Sequence, residues 1–413
     1  MAPDVRRSIE AVFRIEQARL IAGLTRLTRD VGQAEELAQD ALVTALEKWP
    51  AAGIPDNPGA WLMSTAKNRA IDAKRRQILF DRKQEDLKQE DRVEEDLDAA
   101  LDDDVGDDLL RLIFISCHPV LSTEARVALT LRLLGGLTTP EIARAFLTPE
   151  PTIAQRIVRA KKTLAEKKVP YVVPRGLELT ERLASVLEVV YLIFNEGYSA
   201  TAGDDYLRPA LCEDALRLGR ILAGLEPDQP EVHGLVALME LQASRLHARV
   251  GPDGDPILLM HQDRARWDRL LIQRGLQALE RAQSLGASGP YALQAAIAAC
   301  HARAGAAGET DWKQIAALYA ALMQVTPSPV VELNRAVAVG MAEGPQAGLA
   351  VAEDLDEALA GYHLLPAVRG DLLEKLGRLD EARAQFERAA ALTRNERERT
   401  LLKERAAKLV TRG

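Results

Sequence analysis

Five polar side chains, Thr152, Gln155, Arg156, Arg159 and Lys162, carry the chemistry that is easiest to read in this sequence. At helical spacing they lie opposite Ile153, Ile157, Ala160 and Leu164, which recur at i, i+4, i+7 and i+11. Arg and Gln reach base edges or phosphates and Lys supplies charge, so this face suits the major groove of DNA. The alternative is an ordinary amphipathic helix with a solvated basic face. Bond-making chemistry finds no comparable cluster. Glu196 has no His, Lys or second carboxylate near it in sequence and, with Asn195, reads as a helix cap or bridge. The six histidines are isolated, and neither a P-loop nor a GxGxxG occurs. Cys117, Cys212 and Cys300 lack ligand spacing and read as small core residues in a reducing compartment. No enzyme activity, no cofactor and no metal site is expected.

The elements that must hold the five side chains span Leu137 to Leu164. Thr139 is expected to cap a short first helix with Pro140 at its first position, where no N–H is needed. Ile142, Ala143 and Phe146 share one face, and Ala143 is small enough for two helices to cross in contact. Thr148-Pro149-Glu150-Pro151 breaks the chain before the second, basic helix. The spacing predicts a helix-turn-helix.

Net charge is −8 over 413 residues, which argues against a nucleic-acid partner until it is divided along the chain. Residues 1–80 carry 12 Lys/Arg and 10 Asp/Glu, and residues 81–108 carry 4 and 14. Residues 109–170 carry 10 and 4, net +6, and residues 171–413 carry 27 and 33. The positive charge therefore sits with the helix-turn-helix. Aromatics are 4% and no apolar run approaches the roughly 18 residues of a membrane span, so an all-α protein without a membrane partner is expected. Residues 1–12 lack the apolar core of a signal peptide, so a cytoplasmic location is expected.

Toward the N-terminus, residues 5–27 read as an amphipathic helix carrying Val12, Ile15, Leu20, Leu24 and Leu27. Asp30 caps a second helix, 33–49, that buries Leu37, Ala41 and Ala45 and presents Glu35, Glu36, Gln39 and Asp40. After a loop at 51–55, Asn57-Pro58 opens a third helix to about Arg76 with Leu62, Ala66, Ala70 and Ala73 inward. Asn68, Asp72 and Arg75 share another of its faces, surrounded by Lys67, Arg69, Lys74 and Arg76.

The blocks AEELAQDALVTALEKWP and NPGAWLMSTAKNRAIDAKRR, an acidic stretch and then the helix-turn-helix resemble an extracytoplasmic-function (group IV, sigma-70 family) RNA polymerase sigma factor. The resemblance covers about residues 8–168. It implies sigma region 2 over 1–78, an acidic linker over 79–108 and region 4 over 109–170. Glu35, Glu36, Leu37, Gln39 and Asp40 then match the helix that docks on the clamp coiled coil of core RNA polymerase. An acidic, Leu-centred face suits a basic coiled coil, although alone it would read as a solvated helix face. Asn68, Asp72, Arg75 and Arg76 match the helix that meets the −10 promoter element, and the loop Pro50–Asn57 the one that cups a flipped base. Thr152, Gln155, Arg156, Arg159 and Lys162 match the helix on the −35 element. The linker is either a solvated tether or a set of carboxylates occupying the basic face of 151–168. Region 4 departs from the family pattern at Leu147, where the turn commonly carries Gly. A positive φ is costly for Leu, so a reshaped turn is expected there.

Residues 171–413 change character to Ala/Leu-rich helix, after a connector that Pro170 and Pro174 stiffen. Ala382, Phe386 and Ala389 show the spacing of a tetratricopeptide second helix, which Ile315, Tyr319, Leu322 and Pro327 repeat. Ala347 and Val351 fall between, and Gly275, Leu279 and Ala282 suggest an earlier copy. Stacked hairpins with a concave face for a small protein or ligand are expected. LEVVYLIFNEGYSA, before the repeats, is a buried-looking helix ending at Gly197, and a subgroup of sigma-like proteins joins such a stretch to a tetratricopeptide-like regulatory tail. The expected function is promoter-directed transcription initiation with core RNA polymerase and promoter DNA as partners. The alternatives are a one-component helix-turn-helix activator with a tetratricopeptide sensor, which leaves residues 10–76 unexplained, and a peptide-binding scaffold.

Overall fold

Eighteen α-helices and no strand form the described residues, which in this computed structural model are 3–81, 105–200 and 205–410. They divide into two units, Met1–Val190 and Tyr191–Gly413. The first holds α1 (Pro3–Thr28), α2 (Val31–Ala52), α3 (Pro58–Asp81), α4 (Val105–Ser116), α5 (Thr123–Leu133), α6 (Thr139–Ala145) and α7 (Glu150–Glu166). The linker expected at 79–108 falls mostly outside the described residues, and so does the proposal that its carboxylates cover the basic face.

Helices α1, α2 and α3 pack on one another around Leu20, Ile21, Leu24, Ala38, Ala41, Ala45, Leu62 and Ala66, all nearly or fully buried. Asp30 caps α2 by accepting from the Gln33 N–H at 2.8 Å, and the Asn57 side chain accepts from Ala60 N–H at the start of α3. Trp49 and Trp61 meet edge to face at 5.2 Å, joining the end of α2 to the start of α3. Two details differ from expectation. Ile15, placed on the inner stripe, is 74% exposed, because Ile9, Phe13 and Gln17 take the inward positions of that turn. Helix α2 also continues through Pro50 to Ala52 and ends on Gly53 at φ +84, so the loop expected from Pro50 starts at Gly53.

The first unit runs on to Val190, past the boundary expected at 170. The start of α8 (Leu177–Tyr198) accounts for this: Arg182 donates to the Phe114 carbonyl at 2.8 Å and Ser185 to that of Cys117 at 2.6 Å. Arg126 on α5 adds an ion pair with Glu188 at 3.1 Å.

The second unit comprises the end of α8 with α9 (Pro209–Leu225), α10 (Pro230–Ala243), α11 (Arg269–Ser284), α12 (Pro290–Arg303), α13 (Trp312–Val325), α14 (Pro329–Ala342), α15 (Pro345–Glu353), α16 (Leu364–Lys375), α17 (Leu379–Leu392) and α18 (Glu396–Val410). Chain neighbours pack pairwise, α10 on α11, α13 on α14, α14 on α15, α16 on α17 and α17 on α18. Ala382, Phe386 and Ala389 are fully buried in α17, and Gly370 on α16 lies so near the Phe386 ring that a Cβ there would come within 2.7 Å. Asn395 ties the end of the unit to its beginning by donating to the carbonyls of Ala200 and Asp205. Glu196 is buried against Arg208, which makes it a helix bridge.

Candidate nucleic-acid and polymerase interface

Helices α6 and α7 form a helix-turn-helix through apolar positions that alternate with exposed ones. Ile142, Ala143, Ile153, Ile157, Ala160 and Leu164 are all buried, at 7% exposure or less, and Phe146 is half-buried. The cap of α6 is Thr138, one residue before the expected Thr139. Its hydroxyl accepts from the Glu141 N–H, and the Glu141 carboxylate accepts in return from the Thr138 N–H at 2.7 Å, a reciprocal capping box. Partial burial works to raise the Glu141 pKa, but the Thr138 hydrogen bonds with Arg14 and Arg144 hold it below the usual carboxylate range.

Leu147 adopts φ +47, so the turn keeps its left-handed residue although the side chain is not Gly. The reshaping expected there does not occur. The Thr148 N–H still reaches the Ala143 carbonyl at 3.0 Å, which closes the end of α6, and Leu147 is 54% exposed. The turn stores about 1–2 kcal/mol of left-handed strain.

Packing turns the polar face of α7 outward. Gln155, Arg159 and Lys162 are exposed and Thr152 and Arg156 half-buried, while Lys162 leans on Glu166 at 3.6 Å. Val158 stands between Gln155 and Lys162 on this face and is 62% exposed. Sequence reasoning missed it because a valine beside Ile157 looks like core, and only the phase of the helix places it in solvent.

On α2 the five acidic-face residues separate. Glu36 and Asp40 are exposed and Gln39 is half-buried, whereas Leu37 is 7% and Glu35 4% exposed. Asp40 pairs with Arg69 of α3 at 2.9 Å, and the same guanidinium donates to the Thr44 hydroxyl at 2.8 Å. Glu35 points instead to Arg132 of α5, at 2.6 Å, and to Lys161 of α7. Asn68 and Asp72 are exposed on α3. Arg75 and Arg76 lie further along α3, outside the described side chains.

No group of three or more His, Cys, Asp or Glu among the described residues is arranged to hold a metal ion, and no described helix is long and apolar enough to cross a membrane. Cys117 is fully buried beside Thr130, and burial pushes its thiol up to about 11.

A helix-turn-helix with an exposed basic face, following a small bundle with an exposed acidic helix, defines a DNA-binding protein of transcription. Residues 12–78 match Sigma-70 region 2, residues 111–164 match Sigma-70, region 4, and residues 182–283 match a family of unknown function, DUF6596. An uncharacterized protein of Rhizobium meliloti (strain 1021) is 45% identical over 378 residues, 91% of this chain and 89% of the relative. The ECF RNA polymerase sigma factor SigL of Mycobacterium tuberculosis is 29% identical over 144 residues, 34% of this chain and 76% of that protein. The two sigma-70 regions and the similarity to an ECF sigma factor support a sigma-70 family sigma factor, a class that serves transcription initiation. Core RNA polymerase and promoter DNA are the partners that these domains imply.

Proposed function

We propose that this protein is an extracytoplasmic-function sigma factor that directs core RNA polymerase to specific promoters and carries its regulatory domain, of tetratricopeptide-like hairpins, on the same chain. The observation that carries the reading is the exposed face of α7, set on a helix-turn-helix that follows a region 2 bundle. Arg156 and Arg159 donate to base edges or phosphates of the −35 element, Gln155 and Thr152 hydrogen-bond within the groove, and Lys162 neutralises phosphate. Val158 adds an apolar contact, for which the C5-methyl of thymine is the complement in the major groove.

Region 2 supplies the remaining contacts. Glu36, Gln39 and Asp40, with Leu37 beneath them, form the side of α2 that meets the basic clamp coiled coil of the polymerase. Asn68, Asp72, Arg75 and Arg76 on α3 meet the −10 element, and Gly53–Asn57 lies where a flipped base would be held. The work is binding and strand opening, without bond chemistry. The second unit acts in cis in support of initiation, its hairpins taking a small protein or ligand. Truncation after Ser199, which keeps all of α8, is expected to lower promoter-directed transcription strongly; an unchanged rate from a folded truncation would remove this role.

An order-of-addition gel shift tests the reading. A promoter fragment should be retained when the chain and core polymerase are both present and not by either alone. Retention by the chain alone, with transcription only when a second sigma factor is supplied, would favour a one-component activator.

A further inference from the structure

The connection between α10 and α11, residues 244–268, is far longer than the roughly 2–8 residues usual between packed helices, and long ordered loops are commonly functional. It is tightly built. Ala248 and Trp267 are buried in the core of α10, α11 and α12. Arg264, itself buried, donates to the carbonyls of His301 and Ala304 at 2.7 Å each and to the Thr310 hydroxyl at 3.0 Å. The loop gathers three guanidiniums against aromatic faces. Arg249 lies 3.7 Å from the centre of the Tyr198 ring and 5.1 Å from that of Tyr206, whose hydroxyl accepts from it at 2.9 Å. Arg245 sits 5.8 Å from Tyr198 and 5.6 Å from Trp267, and Arg264 sits 4.9 Å from Trp267. Tyr198, stacked on Phe194, comes from the Phe-Asn-Glu-Gly-Tyr stretch, which sigma activity leaves without a task. None of the three guanidiniums is ion-paired among the described residues. Glu398 faces Arg249, but it accepts from the Thr393 hydroxyl at 2.9 Å and pairs with His363 at 3.1 Å. Glu309 faces Arg264, yet it accepts from the Ala306 N–H at 3.1 Å. Ring faces offset only part of the desolvation of a buried cation, and like charges this close repel. The uncompensated charge reaches His301, which burial, Arg245 and Arg264 together hold in its neutral form.

Beside the array lies a cavity of about 550 Å³, within the roughly 300–1,000 Å³ range of small-ligand sites. Tyr206, the partner of Arg249, forms part of its wall. Leu207, Leu246 and Val250 give it an apolar side, and Arg266 and Arg397 give it two cations. Arg397 is engaged by Asp255 at 2.8 Å, whereas Arg266 is exposed and unpaired among the described residues. Asp205 and Glu213 also line the cavity, but both are exposed, so water screens their charge far more than that of the array. We infer that this cavity binds a small organic anion, its acid group on Arg266 in the field of Arg249 and its apolar body on Tyr206, Leu207, Leu246 and Val250. The inference rests on the reading of the second unit as a regulatory domain that takes a ligand, and it names the ligand's class and place. A phosphate monoester and a carboxylate share the required chemistry, since either accepts two N–H bonds from one guanidinium. The anion supplies the counter-charge that the array lacks, so its binding stabilises the loop.

Isothermal titration of the full-length chain, without polymerase, tests the site with naphthyl phosphate and naphthoate as probes and naphthalenemethanol as their uncharged counterpart. At least one anion should bind once per chain, and the uncharged probe at least roughly tenfold more weakly. The tighter anion identifies the acid group. Arg266→Gln should weaken it by roughly 10- to 150-fold, the worth of a hydrogen bond to a charged group, and leave the uncharged probe unaffected. Gly251→Leu tests the place by volume instead of charge. Gly251 lines the cavity, and a Cβ there meets nothing nearer than the Asp255 carbonyl oxygen at 3.8 Å, so the larger side chain is accommodated and fills the space. It should abolish binding of both anions. Absence of saturable binding by either anion, or binding that neither variant weakens, would overturn the site. Equal affinity for the uncharged probe would overturn the part given to the cations. Promoter-directed transcription with and without saturating probe then reads the regulation separately. A rate that changes in the wild type and not in Gly251→Leu supports control through the cavity. A chain that binds the probe yet transcribes at an unchanged rate removes the regulatory reading while the site stands.

Discussion

Arg159 offers the sharpest separation of DNA recognition from folding. Its side chain is exposed in the middle of α7, opposite the buried row Ile153, Ile157, Ala160 and Leu164. Arg159→Ala therefore leaves the helix core intact, and the thermal midpoint should move little. If the guanidinium reads a base edge, its loss costs about 1–3 kcal/mol, roughly 5- to 150-fold in affinity, and relaxes preference at one base pair. If it holds a phosphate instead, affinity falls alike for all sequences and the slope of log K against log salt flattens by about 0.9. Between 50 and 200 mM salt that slope difference amounts to about 3.5-fold for one contact. The assay is fluorescence anisotropy of a labelled promoter duplex with holoenzyme assembled from the variant, run at both salt concentrations with matched and base-substituted −35 elements. Unchanged affinity, unchanged slope and unchanged preference in a folded variant would refute the placement of α7 on DNA.

Val158→Ala removes two methyl groups and should weaken binding by up to roughly 16-fold, whereas replacing the contacted thymine by deoxyuridine removes one and should cost roughly fourfold in the wild type with little further effect in the variant. Additive losses would place Val158 away from that methyl. Asp40→Arg and Glu36→Lys should each reduce pull-down of core polymerase with little change in unfolding temperature, and full retention by both would remove the docking face. Leu147→Asn should stabilise the first unit by about 1 kcal/mol in denaturant unfolding, because Asn tolerates the left-handed backbone that Leu147 occupies; a loss of stability would deny the strain. Burial, with Arg245 and Arg264 nearby, lowers His301 from its ordinary 6.5 to about 3. The folded chain thus binds fewer protons than the unfolded one between those values, so this stability is complete above pH 6.5 and is lost as pH falls. The loss reaches about 2 kcal/mol at pH 5. His301→Phe should flatten the midpoint-against-pH curve between pH 7 and 5, and an unaltered curve would contradict the assignment.

Much of the molecule is legible because helices declare themselves locally. The Ile and Ala spacing of α7, the Asp30 cap of α2 and the Ala382–Phe386–Ala389 row depend only on residues within a few turns, and each lies where the periodicity puts it. What depends on distant partners does not show. Glu35 reads as one more exposed acid because Arg132 and Lys161 lie far along the chain, with 97 positions separating Glu35 from Arg132. The limit of the first unit at Val190 is hidden for the same reason, since Arg182 and Ser185 find their acceptors 68 positions back. Ile15 is misplaced because several faces of α1 are apolar and periodicity alone does not choose between them. The strain at Leu147 is visible in residue type, but whether the turn would yield or the residue would bear it is a tertiary outcome.

Transcription from a defined promoter by purified core RNA polymerase, with this chain as the sole added protein, tests the central claim most directly. The account predicts transcripts from one start site that require both the chain and an intact −35 element. Absence of specific transcripts from a chain that is folded and bound to core polymerase, or transcripts only after another sigma factor is added, would contradict it.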